Sequence, residues 1–171
     1  KGHGGAMEIV PVTTVIGAEV RDVDLRDDLD DGSVATIRKA LLDHLVLFFR
    51  DQDISVDDHM RFATYFGEID MPPFLSAGAP RPEVTVLDQT EPKGQGADSW
   101  HADNTHRPEP PMGSILRAVQ LPSAGGDTCF ASMYAAYDDL SPAMQAFVDG
   151  LEANNTLELM AERAKIRTPE A

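Results

Sequence analysis

The sequence predicts an α+β fold built around a mainly antiparallel sheet or barrel. Strand-like segments alternate with two amphipathic helical segments within the first 70 residues. Nine of the 12 prolines then fall between Pro72 and Pro122, where they exclude long helices, and two short helical segments follow. Because this order does not repeat a strand–helix–strand unit, it fits a doubly wound parallel fold less well.

Two short strands are predicted near the start of the chain. Residues 8–12 and 19–25 have strand composition, and the second segment alternates apolar residues with charged ones. Gly17 lies between the two segments, where it can supply the backbone freedom of a turn. We therefore expect two strands joined through Gly17.

The first helix is predicted over residues 34–44. Apolar residues recur there at helical spacing, after a cap expected at Asp31 or Ser33, and the helix should end near His44. Residues 46–49 follow with the length and the aromatic content of a strand. We expect this third strand to be buried.

The second helix is predicted to begin at Ser55. Asp58 stands three residues later, which is the spacing of a capping box. Gly67 is the expected terminator. The apolar stripe of this helix is expected to consist of Val56, Met60, Ala63 and Phe66.

The second half of the chain is predicted to consist of loops around strands, with helices only at its end. The strand candidates are residues 84–87, 114–119 and 127–131, the last one entered through a turn at Gly125 and Gly126. The helix candidates are residues 133–140 and 141–151. Ser141 would cap the second of these helices, with Pro142 at its first position.

The composition indicates one acidic globular domain. The 14 Lys and Arg stand against 29 Asp and Glu, which gives a formal net charge of −15. Because such a surface repels phosphate groups, nucleic acid is not an expected partner. The longest apolar run, residues 45–49, is far shorter than the roughly 20 residues of a transmembrane helix, so a membrane is not expected either.

The single cysteine and the amino terminus bear on location and organisation. Cys129 cannot form an internal disulfide or build a cysteine-rich zinc site by itself. No secretory signal is recognisable, so the expected location is the cytoplasm. Residues 1–7 have the composition of a tag remnant, which leaves residues 8–171 as the domain.

The candidate site is the tetrapeptide Trp100-His101-Ala102-Asp103. In an extended chain, residues i and i+2 point to the same side, so His101 and Asp103 can converge on one metal ion. One imidazole nitrogen and one carboxylate oxygen suit Fe(II) or Mn(II), and a second His would complete a facial triad. The spacing alone is weak evidence, because five His and 19 Asp in 171 residues give an expected number of about 0.56 such pairs by chance. A loop His bonded to a neighbouring acid is the alternative.

Several ordered segments carry a family resemblance. The sequences WHADNT, PPMGSIL, GGDT and AAYDDLS together resemble the TauD/TfdA family of Fe(II)- and 2-oxoglutarate-dependent dioxygenases; they stand at residues 100–105, 110–116, 125–128 and 135–141. Residues 16–20, 23–25, 46–50 and 62–67 resemble the amino-terminal half of the same family. The resemblance extends over about residues 12–151, and this ordered set is more specific than any one motif.

The resemblance implies a double-stranded β-helix (jelly-roll) core with flanking helices, incomplete in this chain. His101 and Asp103 would be two of the three iron ligands, and Thr128 would contact the carboxylate of 2-oxoglutarate. Asn104 would face the substrate, although a turn-forming role is the alternative. Trp100 is expected to pack beneath the metal loop.

The implied reaction hydroxylates a small, anionic organic substrate with O2 and 2-oxoglutarate, and it releases succinate and CO2. Residues 8–171 would be the amino-terminal portion of a single dioxygenase domain, with the second iron-binding His and the Arg for 2-oxoglutarate beyond Ala171. The alternative is a truncated, non-catalytic form that acts as an interaction module. Unpaired strand edges would favour self-association, so a homo-oligomer is one possible state of the protein.

The remaining histidines are not expected to be iron ligands, and the loop after the second helix bears on the choice of substrate. His44 lies at a helix end and His59 on a polar helix face, while His106 is close to the site but fits an exposed loop better than a ligand role. Taurine-specific family members place a His in the region of residues 68–74, where this chain has none. We therefore expect that taurine is not the favoured substrate.

Overall fold

The computed structural model describes residues 6–70, 81, 83–87 and 99–156. These residues fall into two compact units. The first unit comprises the chain up to Glu68 together with Ile115–Leu151, and the second comprises the described residues within Ile69–Ser114 and from Glu152 onward. None of the described helices is long and apolar enough to cross a membrane.

The first unit contains a three-stranded mixed sheet. Its strands are β1 (Glu8–Pro11), β2 (Ala18–Arg21) and β3 (Leu47–Phe48), in the order β1-β2-β3. The pair β1–β2 is antiparallel, whereas β2–β3 is parallel, with Ala18 opposite Leu47. The three predicted strands are therefore present, although each is shorter than predicted. The sheet is less antiparallel than expected, because a helix crosses over between β2 and β3.

Gly17 closes the connection between β1 and β2. Its carbonyl accepts a hydrogen bond from the amide of Val12 at 2.9 Å, and its φ of +90° lies in the region that favours glycine. A Cβ atom at this position would stand 3.3 Å from Cε2 of Phe48. The predicted role of Gly17 is confirmed, and the close approach of Phe48 adds a second reason for glycine there.

Helix α1 (Asp31–His44) crosses over between β2 and β3. It ends at His44, as predicted, with Leu45 in a left-handed conformation at its carboxyl cap. The amino-terminal cap is Asp30, whose Oδ1 accepts a hydrogen bond from the amide of Ser33 at 2.8 Å. The prediction of Asp31 or Ser33 as the cap was wrong by one or more residues, because several polar side chains stand in a row and only the backbone geometry selects among them.

Helix α2 (Val56–Thr64) begins with the predicted capping box. The amide of Asp58 donates to Oγ of Ser55 at 3.1 Å, and the amide of Ser55 donates to the Asp58 carboxylate at 2.9 Å. The last helical residue is Thr64 and the carboxyl cap is Tyr65, so the prediction of Gly67 as the terminator was wrong by two residues.

Phe62 and its neighbours form the centre of the core. Phe62 is buried, and the rings of Phe49, Tyr65 and Phe66 meet it edge-on. The buried cluster consists of Val20, Leu25, Ile37, Ile54 and Phe62. The predicted stripe of α2 was therefore incomplete: Phe62 was not part of it and Val56 is exposed, whereas Phe66 packs against the buried cluster as predicted.

Two short helices end the first unit. They are α3 (Met133–Asp138), capped by Ser132, and α4 (Pro142–Val148), capped by Ser141 with Pro142 at the first position. Both predicted helices and the predicted Ser-Pro start are confirmed. Several of their large apolar side chains are exposed, namely Met133, Tyr134, Met144 and Phe147.

Three predicted strands were wrong. Residues 84–87, 114–119 and 127–131 form no ladder with any other described segment. Strand composition reports only that a segment would fit a pleated, half-buried surface, and a strand also requires a partner with which to pair. The described part of the chain thus contains an α+β arrangement with one small sheet.

Candidate metal centre

His101 is oriented by the backbone just before it. Its Nδ1 lies 2.9 Å from the carbonyl oxygen of Ser99, and because a carbonyl can only accept, this contact assigns the ring proton to Nδ1. In the neutral ring, Nε2 then carries a free lone pair. The local chain therefore presents Nε2 as the atom that can bind a metal ion.

Asp103 lies on the same side of the chain as His101. The Nε2 atom of His101 is 3.5 Å from Oδ1 of Asp103, so the two groups converge as the i, i+2 spacing predicts. Metal–ligand bonds of about 2.1 Å allow one ion to contact two atoms at this separation. Both side chains are more than half exposed, which leaves them accessible to a ligand from solvent.

These two residues form a pair and not a complete site. Among the residues that the structure describes, no group of three or more His, Cys, Asp or Glu could hold a metal ion. His59 is engaged elsewhere, since its Nε2 lies 3.1 Å from the carbonyl oxygen of Ile115 within the first unit. The pair therefore supplies one nitrogen and one oxygen ligand, and the remaining positions would be open to other donors.

A tight turn begins at the second candidate ligand, Asp103. Residues 103–106 form this turn, which we call the metal turn, and the amide of Arg107 donates to the carbonyl of Asn104 at 3.0 Å. Asn104 has a φ of +56°, a left-handed conformation that Asn adopts more readily than most residues. This geometry supports the turn-forming interpretation of Asn104.

An ion pair joins the metal turn to a distant part of the sequence. Nη1 of Arg107 lies 2.7 Å from Oδ2 of Asp70, in the same unit. Sequence reasoning missed both residues. They stand 37 positions apart, and neither belongs to a motif that would have indicated the contact.

Trp100 does not pack as predicted. It is 73% exposed and is not part of the buried core, so the expectation that it lies beneath the metal loop was wrong for the structure described. An indole side chain can contribute to packing only where other apolar groups surround it, and the surface position of residues 99–103 does not provide them.

Thr128 belongs to the first unit and is exposed. The preceding Gly125 and Gly126 both have positive φ values, +77° and +73°, which confirms the predicted turn. Two residues after Thr128, the ring of Phe130 meets that of Phe48 edge-on. The segment that carries Thr128 is therefore attached to β3 through an aromatic contact.

Comparison with known proteins identifies close relatives. Residues 8–169 match the family model described as "Taurine catabolism dioxygenase TauD, TfdA family". The chain is 38% identical, over 165 residues, to an alpha-ketoglutarate-dependent sulfate ester dioxygenase of Pseudomonas putida, covering 91% of this chain and 52% of the relative. It is 32% identical to an (S)-phenoxypropionate/alpha-ketoglutarate-dioxygenase of Sphingobium herbicidovorans, covering 89% of this chain and 54% of the relative.

A solved structure agrees with these matches. The crystal structure of a candidate alpha-ketoglutarate-dependent taurine dioxygenase from Burkholderia xenovorans superposes with a TM-score of 0.74 at 38% identity, over 85% of this chain and 53% of that one. The chain thus spans about half the length of the relatives that it matches.

Proposed function

The chain belongs to the taurine catabolism dioxygenase TauD, TfdA family, and we propose that it carries two iron ligands of an Fe(II)- and 2-oxoglutarate-dependent dioxygenase. The resemblance seen in the sequence is confirmed at the level of the family. The core of the complete domain would be the double-stranded β-helix that the resemblance implies, with α1 and α2 among the flanking helices.

His101 and Asp103 are the proposed ligands. The observation that carries this assignment is the 3.5 Å separation of Nε2 and Oδ1, with Nδ1 occupied by the Ser99 carbonyl. A neutral imidazole nitrogen together with a carboxylate oxygen is a donor set that suits Fe(II). The residues present therefore fit the metal that the family uses, and the Ser99 carbonyl holds the imidazole in the tautomer that metal binding requires.

Thr128 and Asn104 are the proposed contacts to the two organic reactants. The Thr128 hydroxyl would donate a hydrogen bond to a carboxylate of 2-oxoglutarate, and the Asn104 amide would face the substrate. When bound, iron with 2-oxoglutarate and O2 supplies the oxidising power for hydroxylation of a C–H bond, with succinate and CO2 as co-products. This chain's own residues bind and orient the reactants.

The substrate class that we propose is a small organic anion. The relatives are named for a sulfate ester and for phenoxypropionate, both of which carry a negative charge. The alternative of a non-catalytic interaction module receives no support from these two relatives, since both are matched over most of this chain and both are named as dioxygenases.

Anaerobic titration of a complete version of the domain with Fe(II) and 2-oxoglutarate tests the assignment. We expect a weak visible charge-transfer band that is absent in His101→Ala and in Asp103→Ala. The matched control is His106→Ala, which removes an imidazole from the metal turn and should keep the band. Thr128→Ala should keep the band but should require more 2-oxoglutarate to reach it. A band of full intensity in His101→Ala would refute the proposed metal site.

A further inference from the structure

The candidate ligands lie between two anchors. On the amino-terminal side, the Ser99 carbonyl fixes the ring of His101. On the carboxyl-terminal side, Asp103 leads into the left-handed Asn104, and the metal turn closes through the Arg107 amide. The hydrogen bond that closes the turn therefore involves the residue directly after Asp103.

Arg107 connects the metal turn to Asp70 over a long sequence separation. The Nη1–Oδ2 distance is 2.7 Å, which is typical of a charge-assisted hydrogen bond, and the two side chains are 39% and 34% exposed. A partly shielded pair of this kind loses less of its strength to solvent than a fully exposed pair does. Asp70 thus provides a fixed point for the end of the turn.

We propose that the Arg107–Asp70 ion pair is a positioning device for the metal site, which holds Asp103 where its carboxylate can share an ion with His101. The proposal rests on the metal-binding role proposed above. Neither residue would contact the metal. Their effect would pass through the Arg107 amide and the carbonyl of Asn104 to the residue next to the ligand.

A purely electrostatic role and a positioning role of Arg107 predict opposite effects of Arg107→Gln on metal affinity. Arg107 is a cation near a site for a cation, so its removal should strengthen metal binding if charge alone matters. Removal of a positioning residue should weaken metal binding, because the turn then samples conformations in which Asp103 points away. Arg107→Gln therefore separates the two explanations by the sign of its effect.

The experiment titrates the chain with Mn(II) and follows the loss of the free-ion signal by electron paramagnetic resonance. We expect Arg107→Gln to weaken Mn(II) binding about tenfold, which is the lower end of the effect of removing an outer-sphere partner. Arg107→Lys should retain most of the affinity, because the ion pair uses one N–H contact that an ammonium group can also make. Equal or tighter Mn(II) binding in Arg107→Gln would overturn the proposal.

The matched control is Arg81→Gln. It removes the same charge from the same unit, where Arg81 pairs with Glu83 at 3.0 Å. Its Mn(II) affinity should stay equal to that of the unsubstituted chain or rise slightly. A tenfold loss in Arg81→Gln as well would show that the loss in Arg107→Gln is not specific, and it would also overturn the proposal.

A second measurement does not depend on the metal. The amide at position 107 should exchange with solvent several-fold faster in Asp70→Asn and Arg107→Gln, because its hydrogen bond closes the turn. Unchanged exchange in both variants would contradict the positioning role.

His101→Ala distinguishes the failure of this inference from the failure of the proposed function. This variant should lose Mn(II) binding and keep the exchange rate at position 107. If His101→Ala bound Mn(II) as tightly as the unsubstituted chain, the metal site itself would be wrong, and the inference would fall with it. If His101→Ala lost binding while Arg107→Gln kept it, the site would stand and only the positioning role would fail.

Discussion

The ring of Phe130 meets the ring of Phe48 edge-on, with the ring centroids 6.3 Å apart and the planes at 74°. Phe48 lies in β3, and Phe130 follows the turn at Gly125 and Gly126. The contact is therefore the attachment point for the segment that carries Thr128. It is an aromatic contact and not a strand ladder, which explains why this segment is held in place although it forms no strand.

Phe130→Ala should lower the free energy of unfolding by about 1 kcal/mol, since edge-on aromatic pairs contribute roughly that much. Urea unfolding followed by circular dichroism measures the change. Phe147→Ala is the matched control, because Phe147 is 61% exposed and has no described ring contact. Equal losses in the two variants would show that the pair with Phe48 contributes nothing specific.

Ile37→Ala should destabilise the first unit by about 2–5 kcal/mol, because Ile37 is 1% exposed and its truncation leaves a cavity in the core. Leu42→Ala in the same helix is the control. Leu42 is 70% exposed, so its loss should change the unfolding midpoint only slightly. A smaller effect at Ile37 than at Leu42 would contradict the described packing of α1 against the sheet.

The capping box of α2 gives the stability a pH dependence. Hydrogen bonds from the hydroxyl and the amide of Ser55, with a further contribution from Arg61, hold the pKa of the Asp58 carboxyl below its ordinary value of 3.8. Because the folded pKa is lowered, this stabilisation is fully present above pH 3.8. It is lost as the pH falls through the lower pKa of the folded state.

Asp58→Asn should therefore flatten the decline of stability in acid, because the variant has no carboxyl to protonate at that cap. Thermal unfolding between pH 7 and about pH 2 measures this decline. Asp27→Asn, which removes an exposed loop carboxylate, is the control and should leave the decline steeper than in Asp58→Asn. The same acid profile in Asp58→Asn as in the unsubstituted chain would contradict the coupling of the cap to stability.

Taurine should be a poor substrate compared with a sulfate ester or a phenoxy acid. Loss of one hydrogen bond to a charged group weakens binding by roughly 1.5–3 kcal/mol, or about 10- to 100-fold. The sequence of residues 68–74 contains no His to make such a bond, although residues 71–74 lie outside the described part of the chain. Substrate-dependent succinate formation measures the preference, and comparable rates with taurine and with an alkyl sulfate would contradict it.

The local signals in the sequence predicted most of the first 65 residues correctly. Gly17, the Ser55–Asp58 capping box and the end of α1 at His44 each depend on residues within one turn of each other, and all three are present. Pro142 after Ser141 likewise marks the start of α4. Such features are predictable because backbone hydrogen bonds at helix ends and turns must be satisfied locally.

The incorrect predictions concern contacts between distant residues. Whether residues 114–119 and 127–131 become strands depends on a partner, and composition carries no information about its presence. Phe62 was missed because apolar residues lie on more than one face of α2, so the apolar pattern does not select a single face. Trp100 was misplaced by the general tendency of large aromatic residues to be buried.

In the candidate site, too, the local features were predictable from the sequence and the features that depend on the folded chain were not. The convergence of His101 and Asp103 follows from their spacing, and the left-handed turn at Asn104 is typical of that residue. The hydrogen bond from His101 to the Ser99 carbonyl and the ion pair of Arg107 with Asp70 were not predictable, since each depends on the folded path of the backbone.

The parallel pairing of β2 with β3 has a consequence for the order of folding. The antiparallel hairpin β1–β2 needs only a short loop to close, and hairpins of that kind form within microseconds. The pairing of Ala18 with Leu47 closes a much longer loop, which contains α1. Its entropic cost is therefore larger than that of the β1–β2 hairpin. The rate-limiting step in folding of the first unit is therefore expected to be the pairing of β3 with β2. Nascent chains that end before Phe48 should not complete the three-stranded sheet.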